Sequence, residues 1–240
     1  MEDFRNKPIP ILPDPEQYTD TAFIDSPLVE LHETDRIELA MQYPVRGCRN
    51  AETRSFLRKE VAEMLEKASL LLPDGYRFRI WDVWRPFALQ EELFESYSEM
   101  ITKEFHLENL SQEEREAEIG KFVANPVDDV NLPPAHTTGG SIDLTIVGPD
   151  DQELEFGTAF DEFTIKTRAA YFETKEAEKE KDAEIIRGNR RFLYHTMLEA
   201  GFTNLPSEWW HYEYGDKNWA YAVKKPALYK GIFKLEDAGL

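Results

Sequence analysis

The stretch HTTGGSIDLTIV, residues 136–147, combines a strand pattern with side chains that carry chemistry. From Ser141 onward apolar and polar residues alternate, which predicts a strand with an apolar and a polar face. Asp143 lies on the polar face between two apolar neighbours in sequence, Ile142 and Leu144. Because a carboxylate is costly to bury alone, this position indicates an acid that is paired or bound to a metal.

Working outward, the chain alternates short strands with amphipathic helices. Strict alternation predicts a half-buried strand over 76–80, and another strand follows Pro206. Apolar spacing predicts helices over 57–72, after Pro86 and over 189–200, and Ser111 with Glu114 resembles a capping box. Since no repeat or linker divides the chain, we predict a single α+β domain over residues 1–240, with residues 1–45 as an extended segment packed on it.

Composition narrows the functional classes. The chain has 240 residues and a net charge of -19, which argues against nucleic acid or an anionic membrane as a partner. Its single cysteine, Cys48, excludes an internal disulfide framework and fits a reducing compartment. No secretory signal pattern opens the sequence, so we expect a bacterial cytoplasmic protein, with a processed periplasmic form as the alternative.

Two of the five histidines lie in unusual surroundings. His136 precedes the Asp143 strand, and His211 follows Glu208 by three residues in SEWWHYEY, residues 207–214. Two imidazoles and one carboxylate form a catalytic zinc set, and a further glutamate can take a proton from the attacking water. The alternative is that both histidines are ordinary packed residues and that Trp209 and Trp210 are core. In a regular strand Glu208 and His211 would also point to opposite faces.

Two further motifs place charged residues between apolar neighbours in sequence. Arg85 in IWDVWRPF, residues 80–87, ends a strand and suits a developing oxyanion, but could instead pair with Asp82 in a buried ion pair. Asp161 in FGTAFDEF, residues 156–163, could meet a substrate ammonium or could be an ordinary loop acid. From these residues alone, a zinc hydrolase is one interpretation among several.

The motifs together resemble a known family. HTTGGSID matches the pattern His-x-x-Gly-x-(Ala/Ser)-x-Asp, and EWWH matches the Glu-x-x-His of the zinc D-alanyl-D-alanine dipeptidases, the group that includes the vancomycin-resistance dipeptidase. WDVWRP and FGTAFDEF are similar to two more motifs of that family, in the same order over about residues 45–215. The resemblance implies a compact α+β fold with a central antiparallel sheet flanked by helices.

The resemblance also implies a role for each motif residue. His136, Asp143 and His211 would bind one Zn²⁺, Glu208 would act as the base and later the proton donor, and Arg85 would stabilise the oxyanion. Asp161 would bind the free ammonium of a small D,D-dipeptide. Pro134 stands where family members often carry a substrate-binding serine, and Trp84 replaces a tyrosine. A peptidoglycan D,D- or L,D-carboxypeptidase and a catalytically silent zinc-binding module remain as alternatives.

Overall fold

A computed structural model describes residues 4–16, 18–120 and 122–240. Residues 1–3 and 17, which belong to the predicted N-terminal segment, and residue 121 lie outside the described residues. The strands are β1 (Leu28–Glu30), β2 (Ile37–Leu39), β3 (Phe56–Arg58), β4 (Arg77–Asp82), β5 (Ser141–Val147), β6 (Thr203–Asn204) and β7 (His211–Glu213). The helices are α1 (Gln42–Val45), α2 (Lys59–Ser69), α3 (Phe87–Glu104), α4 (Gln112–Ile119), α5 (Ala183–Glu199) and α6 (Lys217–Val223).

The central sheet has the order β2-β4-β5-β7-β6, and β1 pairs with β3 in a separate two-stranded sheet. Neighbouring strands of the central sheet are antiparallel, as expected, except that β2 joins β4 in parallel. The predicted strand at 141–147 is β5, and all seven of its residues are buried. This mixed arrangement of sheet and helices is the α+β fold that the sequence predicts.

The alternation of β5 separates a packing face from a polar face. Its apolar residues join a core with residues of β4, α2 and α5: Phe78, Ile80, Val61, Leu65, Ile142, Leu144, Ile146, Leu193 and Met197. The polar face is completed by β7, since His211 lies opposite Asp143 and Glu213 lies opposite Ser141. A register shift after Ile80 also brings Asp82 opposite Asp143. Charged residues of three strands therefore share one face of the sheet.

The ends of several elements differ from the sequence prediction. Leu57 belongs to strand β3 rather than to the helix, because the chain around it pairs with β1. Helix α5 begins six residues earlier than predicted, at Ala183. The capping box of Ser111 and Glu114 is confirmed. In the described part of the chain, no helix is both long and apolar enough to cross a membrane.

Candidate metal centre and the cleft beside it

The predicted ligands meet at one point on the polar face of the sheet. His136 Nε2 lies 3.2 Å from Asp143 Oδ2, and His211 Nδ1 lies 3.0 Å from Asp143 Oδ1. The two imidazole nitrogens are 3.2 Å apart. All three side chains are buried. Among the described residues, these three form the group whose geometry could hold a metal ion.

Two glycines place His136 against β5. The histidine lies in a 3-10 turn, His136–Thr138, followed by Gly139 at φ 74° and then Gly140. A Cβ atom at Gly139 would lie 2.5 Å from a methyl carbon of Leu28, and one at Gly140 would lie 2.4 Å from the carbonyl oxygen of Tyr214. A side chain at either position would therefore displace the turn that carries the histidine.

Hydrogen bonds orient both imidazoles toward the shared point. His136 Nδ1 donates to the carbonyl oxygen of Val83 at 2.8 Å, because a carbonyl can only accept. His211 Nε2 lies 3.1 Å from Glu213 Oε2. The other nitrogen of each ring is therefore left to face Asp143. This is the orientation in which neutral histidines bind a metal.

The donor set fits a zinc ion. Ligand bonds of about 2.0–2.1 Å at tetrahedral angles separate neighbouring ligand atoms by roughly 3.3 Å. His136 Nε2 and His211 Nδ1 are 3.2 Å apart, close to that value, and with one oxygen taken from Asp143 all three ligand atoms lie within 4.8 Å of one another. Three protein ligands of the His₂-carboxylate type leave a fourth position for water or substrate.

Glu208 lies in a turn rather than in a strand. Its backbone N–H donates to Leu205, and the N–H of His211 donates to the Glu208 carbonyl, so β7 begins only at His211. The turn brings Glu208 Oε2 to 3.8 Å from His211 Nδ1. The strand predicted after Pro206 is thus shorter than expected, and this removes the conflict between the directions of the two side chains.

The surroundings of Glu208 suit a proton acceptor. Removal from solvent raises the pKa of its carboxyl to about 8, and the charges of Asp143 and Asp161 act in the same direction. The side chain nevertheless keeps 26% of its exposure, so a substrate can reach it. A carboxyl with a pKa near neutrality can both take up and release a proton at physiological pH.

Arg85 pairs with Asp82 and also faces the ligand group. Its guanidinium donates to Asp82 Oδ2 from two nitrogens at 2.7 and 3.0 Å, to Gln90 at 2.7 Å and to the Tyr43 hydroxyl at 3.2 Å. Arg85 Nη2 is also 4.0 Å from Asp143 Oδ2. The buried ion pair weighed above is therefore present, and it holds a positive charge at the edge of the site.

Asp161 is held rigidly on the far side of the cleft. Its Oδ2 accepts hydrogen bonds from Arg46 at 2.7 Å, Tyr97 at 2.9 Å and Tyr43 at 3.1 Å. Its backbone has a positive φ of 59°, which is uncommon for a residue with a side chain and typical of functional loops. Because Tyr43 also contacts Arg85, its hydroxyl links the two charged groups.

The buried charges change one another's pKa. Burial acts to raise the pKa of Asp143, but the charge of His136 and the hydrogen bonds of both imidazoles outweigh burial and lower it. Burial acts to lower the pKa of His211, and its bonds to Asp143 and Glu213 raise it well above the ordinary value. Burial, together with the charge of Asp143, raises the pKa of Asp161. The lowered pKa of Asp143 and the raised pKa of His211 both favour a carboxylate beside a positive charge at this point.

A cavity of about 280 Å³ connects Glu208 with Asp161. Its apolar wall consists of Phe105, Phe122 and Phe163, which come from the end of α3, the end of α4 and the Asp161 loop. At about 280 Å³ the cavity lies just below the range of about 300–1,000 Å³ typical of drug-sized ligands, and its lining combines apolar and charged side chains. The proposed base and the proposed ammonium partner thus face the same enclosed volume.

Comparison with known proteins agrees with these observations. A family model described as D-ala-D-ala dipeptidase matches residues 45–229, which include all six predicted site residues. The chain belongs to this dipeptidase family. Members of the family are metallopeptidases, so the chain is a hydrolase of that class.

Similar curated proteins carry the same description. A D-alanyl-D-alanine dipeptidase of Synechocystis is 28% identical over 176 residues, covering 69% of this chain and 71% of the relative. Another, from Enterococcus faecium, is 31% identical over 172 residues and covers 66% and 72%. One from Escherichia coli is 25% identical over 163 residues and covers 68% of each chain.

Solved structures also match. The LdcB LD-carboxypeptidase aligns with a TM-score of 0.41 and 16% identity, covering 85% of this chain and 77% of that chain. A point mutant of the vancomycin-resistance D,D-pentapeptidase VanY, in complex with Zn(II), aligns with a TM-score of 0.38 and 13% identity, covering 75% and 85%.

Several residues at this dipeptidase site were not predicted from the sequence. Tyr43, Arg46 and Tyr97 contact Asp161 from distant parts of the chain, and no local pattern marks them. Glu213 is different, since it lies two residues after His211 and shares its face of β7. The period of a strand could have indicated that contact.

Proposed function

We propose that this protein is a zinc-dependent dipeptidase that hydrolyses D-alanyl-D-alanine or a related D,D-dipeptide, with one Zn²⁺ per chain bound by His136, Asp143 and His211. The observation that carries the proposal is that one ligand atom from each of these residues lies within 4.8 Å of the others, with Glu208 Oε2 3.8 Å from His211 Nδ1. Membership of the D-ala-D-ala dipeptidase family supports the same substrate.

Glu208 performs the proton transfers in this proposal. When bound, zinc supplies Lewis acidity toward the scissile carbonyl and makes a water molecule more acidic. The Glu208 carboxylate accepts the proton of the attacking water, and the resulting carboxylic acid then gives the proton to the leaving amine. The raised pKa of about 8 makes both halves of this exchange accessible near neutral pH.

Arg85 and Asp161 bind opposite charges on the substrate. Four N–H groups of Arg85 donate within the described part of the chain, and the guanidinium has a fifth for the developing oxyanion. The three donors to Asp161 use Oδ2, so in this proposal Oδ1 accepts from the substrate ammonium. A free ammonium so close to the scissile bond restricts the substrate to short peptides.

The substrate range is the second part of the proposal. The cleft takes up a small ligand in about 280 Å³. Pro134 lacks the hydroxyl that a serine would offer to the substrate. We therefore expect turnover of D,D-dipeptides other than D-Ala-D-Ala as well.

The test combines metal content with substrate length. Purified protein is measured by mass spectrometry for zinc, and D-alanine release is followed from D-Ala-D-Ala, L-Ala-L-Ala and a stem pentapeptide that ends in D-Ala-D-Ala. We expect one zinc per chain, turnover of the D,D-dipeptide only, and loss of activity after chelation with recovery on adding zinc. Pentapeptide turnover would instead make the protein a carboxypeptidase, and zinc without any hydrolysis would indicate a binding module.

A further inference from the structure

The two histidines of the metal centre are oriented by chemically different partners. The nearest partner of His136 Nδ1 is the neutral backbone carbonyl of Val83 at 2.8 Å, and the carboxylate oxygen Oδ2 of Asp82 lies farther away, at 3.4 Å. His211 faces the carboxylate of Glu213 at 3.1 Å. A backbone carbonyl is present at every residue and is neutral, whereas a buried carboxylate is charged and must be stabilised by other groups.

Contacts with three elements of the fold hold Glu213 in place. Its side chain is 1% exposed, and Asn218 of helix α6 donates to its Oε2 at 3.1 Å. Its backbone position in β7 lies opposite Ser141 of β5 and Thr203 of β6. These contacts fix the carboxylate oxygen relative to the same strand, β5, that carries Asp143.

A second buried acid, Asp216, lies near Glu213, and its negative charge makes the Glu213 carboxylate harder to stabilise. Asp216 caps helix α6 by accepting from the N–H of Trp219 at 2.9 Å, and it also accepts from the Ser141 hydroxyl at 2.8 Å. Both of these hydrogen bonds are made by the Asp216 carboxylate as an acceptor, so Asp216 does not act as a donor to Glu213. An acid kept beside another buried acid destabilises the fold unless a nearby cation or a hydrogen-bond donor compensates. In this structure the His211 ring and the Asn218 amide both contact Glu213 Oε2, and the ring is the one of the two that can carry a positive charge.

We propose that Glu213 is a positioning residue: by accepting the Nε2–H of His211, it keeps Nδ1 free and directed at the metal, and it strengthens metal binding. This inference rests on the proposed function, because it assigns His211 as a ligand. Carboxylate partners of metal-bound histidines make the ligand more basic and hold its ring, and their loss lowers metal affinity about 10- to 100-fold.

Zinc affinity separates this role from a structural one. The zinc Kd of the full chain is measured by competition with a chromophoric chelator for the wild type and for Glu213→Gln, which keeps the size of the side chain. Glu173→Gln is the control, because the Glu173 side chain is only 10% exposed and is bonded to Arg191 at 2.7 Å, but belongs to a turn outside the sheet. The melting temperature of each metal-free protein is recorded in parallel.

We expect Glu213→Gln to raise the zinc Kd about 10- to 100-fold. Glu173→Gln should lower the melting temperature and leave the Kd within about twofold of the wild type. A long-range ¹H–¹⁵N spectrum of the imidazoles should show Nε2–H as the main form of metal-loaded His211 in the wild type and a changed pattern in Glu213→Gln. A zinc Kd unchanged in Glu213→Gln would overturn the inference.

Should Glu213→Gln fail to fold, Asn218→Ala carries the same test. It removes one hydrogen bond to Glu213 from a half-buried position, and we expect a rise of several-fold in zinc Kd. An unchanged Kd in this variant would then overturn the inference. Failure of the proposed function looks different, since a wild-type protein that binds no zinc, or binds it without hydrolysing dipeptides, contradicts that proposal before any variant is compared.

Discussion

Ion pairs of almost equal length lie at the two ends of strand β4, in opposite surroundings. At the site end, Arg85 Nη2 lies 2.7 Å from Asp82 Oδ2, and the side chains are 9% and 3% exposed. At the other end, Arg77 Nε lies 2.8 Å from Glu38 Oε2, and the side chains are 22% and 27% exposed. The N–O distance therefore does not show which ion pair contributes more to stability.

Burial decides what each pair does. At the outer end, Arg77 and Arg79 share Glu38 and also reach Asp151 and Glu153 near the solvent, where water can replace any lost partner. At the site end, each charge depends on its neighbours because water is excluded. The same secondary structure thus supports a replaceable surface network and an interdependent buried one.

The largest effect should come from Glu208, the base at the buried end. Glu208→Gln removes the proton acceptor but keeps the size of the side chain, so we expect hydrolysis of D-Ala-D-Ala to fall about 10²- to 10⁴-fold. Zinc content should remain at the wild-type level. Kinetics and metal analysis on the same sample check this, with Glu38→Gln as the control from the outer end, where activity should stay unchanged. A Glu208→Gln enzyme with near wild-type kcat would refute the assignment.

The next largest effect should be on stability, at the buried ion pair of Asp82 and Arg85. Asp82→Asn leaves the Arg85 guanidinium buried without its anionic partner, and we expect the free energy of unfolding to fall by about 3–5 kcal/mol. Urea unfolding of chelator-treated protein measures this without a contribution from metal binding. If Asp82→Asn lowered the free energy of unfolding no more than Glu38→Gln does, burial would not explain the difference between the two ion pairs.

The smallest effect concerns Glu38. Glu38→Gln should cost about 1 kcal/mol or less at pH 7, because the pair is partly solvated. Burial acts to raise the pKa of Glu38, but hydrogen bonds from Arg79 and Arg77 outweigh it and lower the pKa below 4.5. The stabilisation is therefore complete above pH 4.5 and is lost as the pH falls through the lowered pKa of the folded state. Unfolding curves of both proteins should converge at low pH, and a difference that grew on acidification would contradict this sign.

Much of the site could be predicted from local sequence. The alternation over 141–147 placed Asp143 on the polar face, and the buried strand β5 carries it there. The motifs around His136 and His211 indicated a possible metal centre, the family resemblance assigned its ligands, and the structure brings both rings to Asp143. Local sequence could indicate these side chains because strand periodicity and the chemistry of ligand side chains are properties of a few neighbouring residues.

What remained depended on contacts between distant segments. The sequence by itself determined the types of side chain at the site, the fold class and the family. Only the tertiary structure decided that Glu208 lies in a turn beside His211, and that the Tyr43 hydroxyl contacts both Arg85 and Asp161, which lie 42 and 118 residues away from it along the chain. The physical reason is that hydrogen bonds and burial depend on which segments pack together, and the local pattern of a segment does not contain that information.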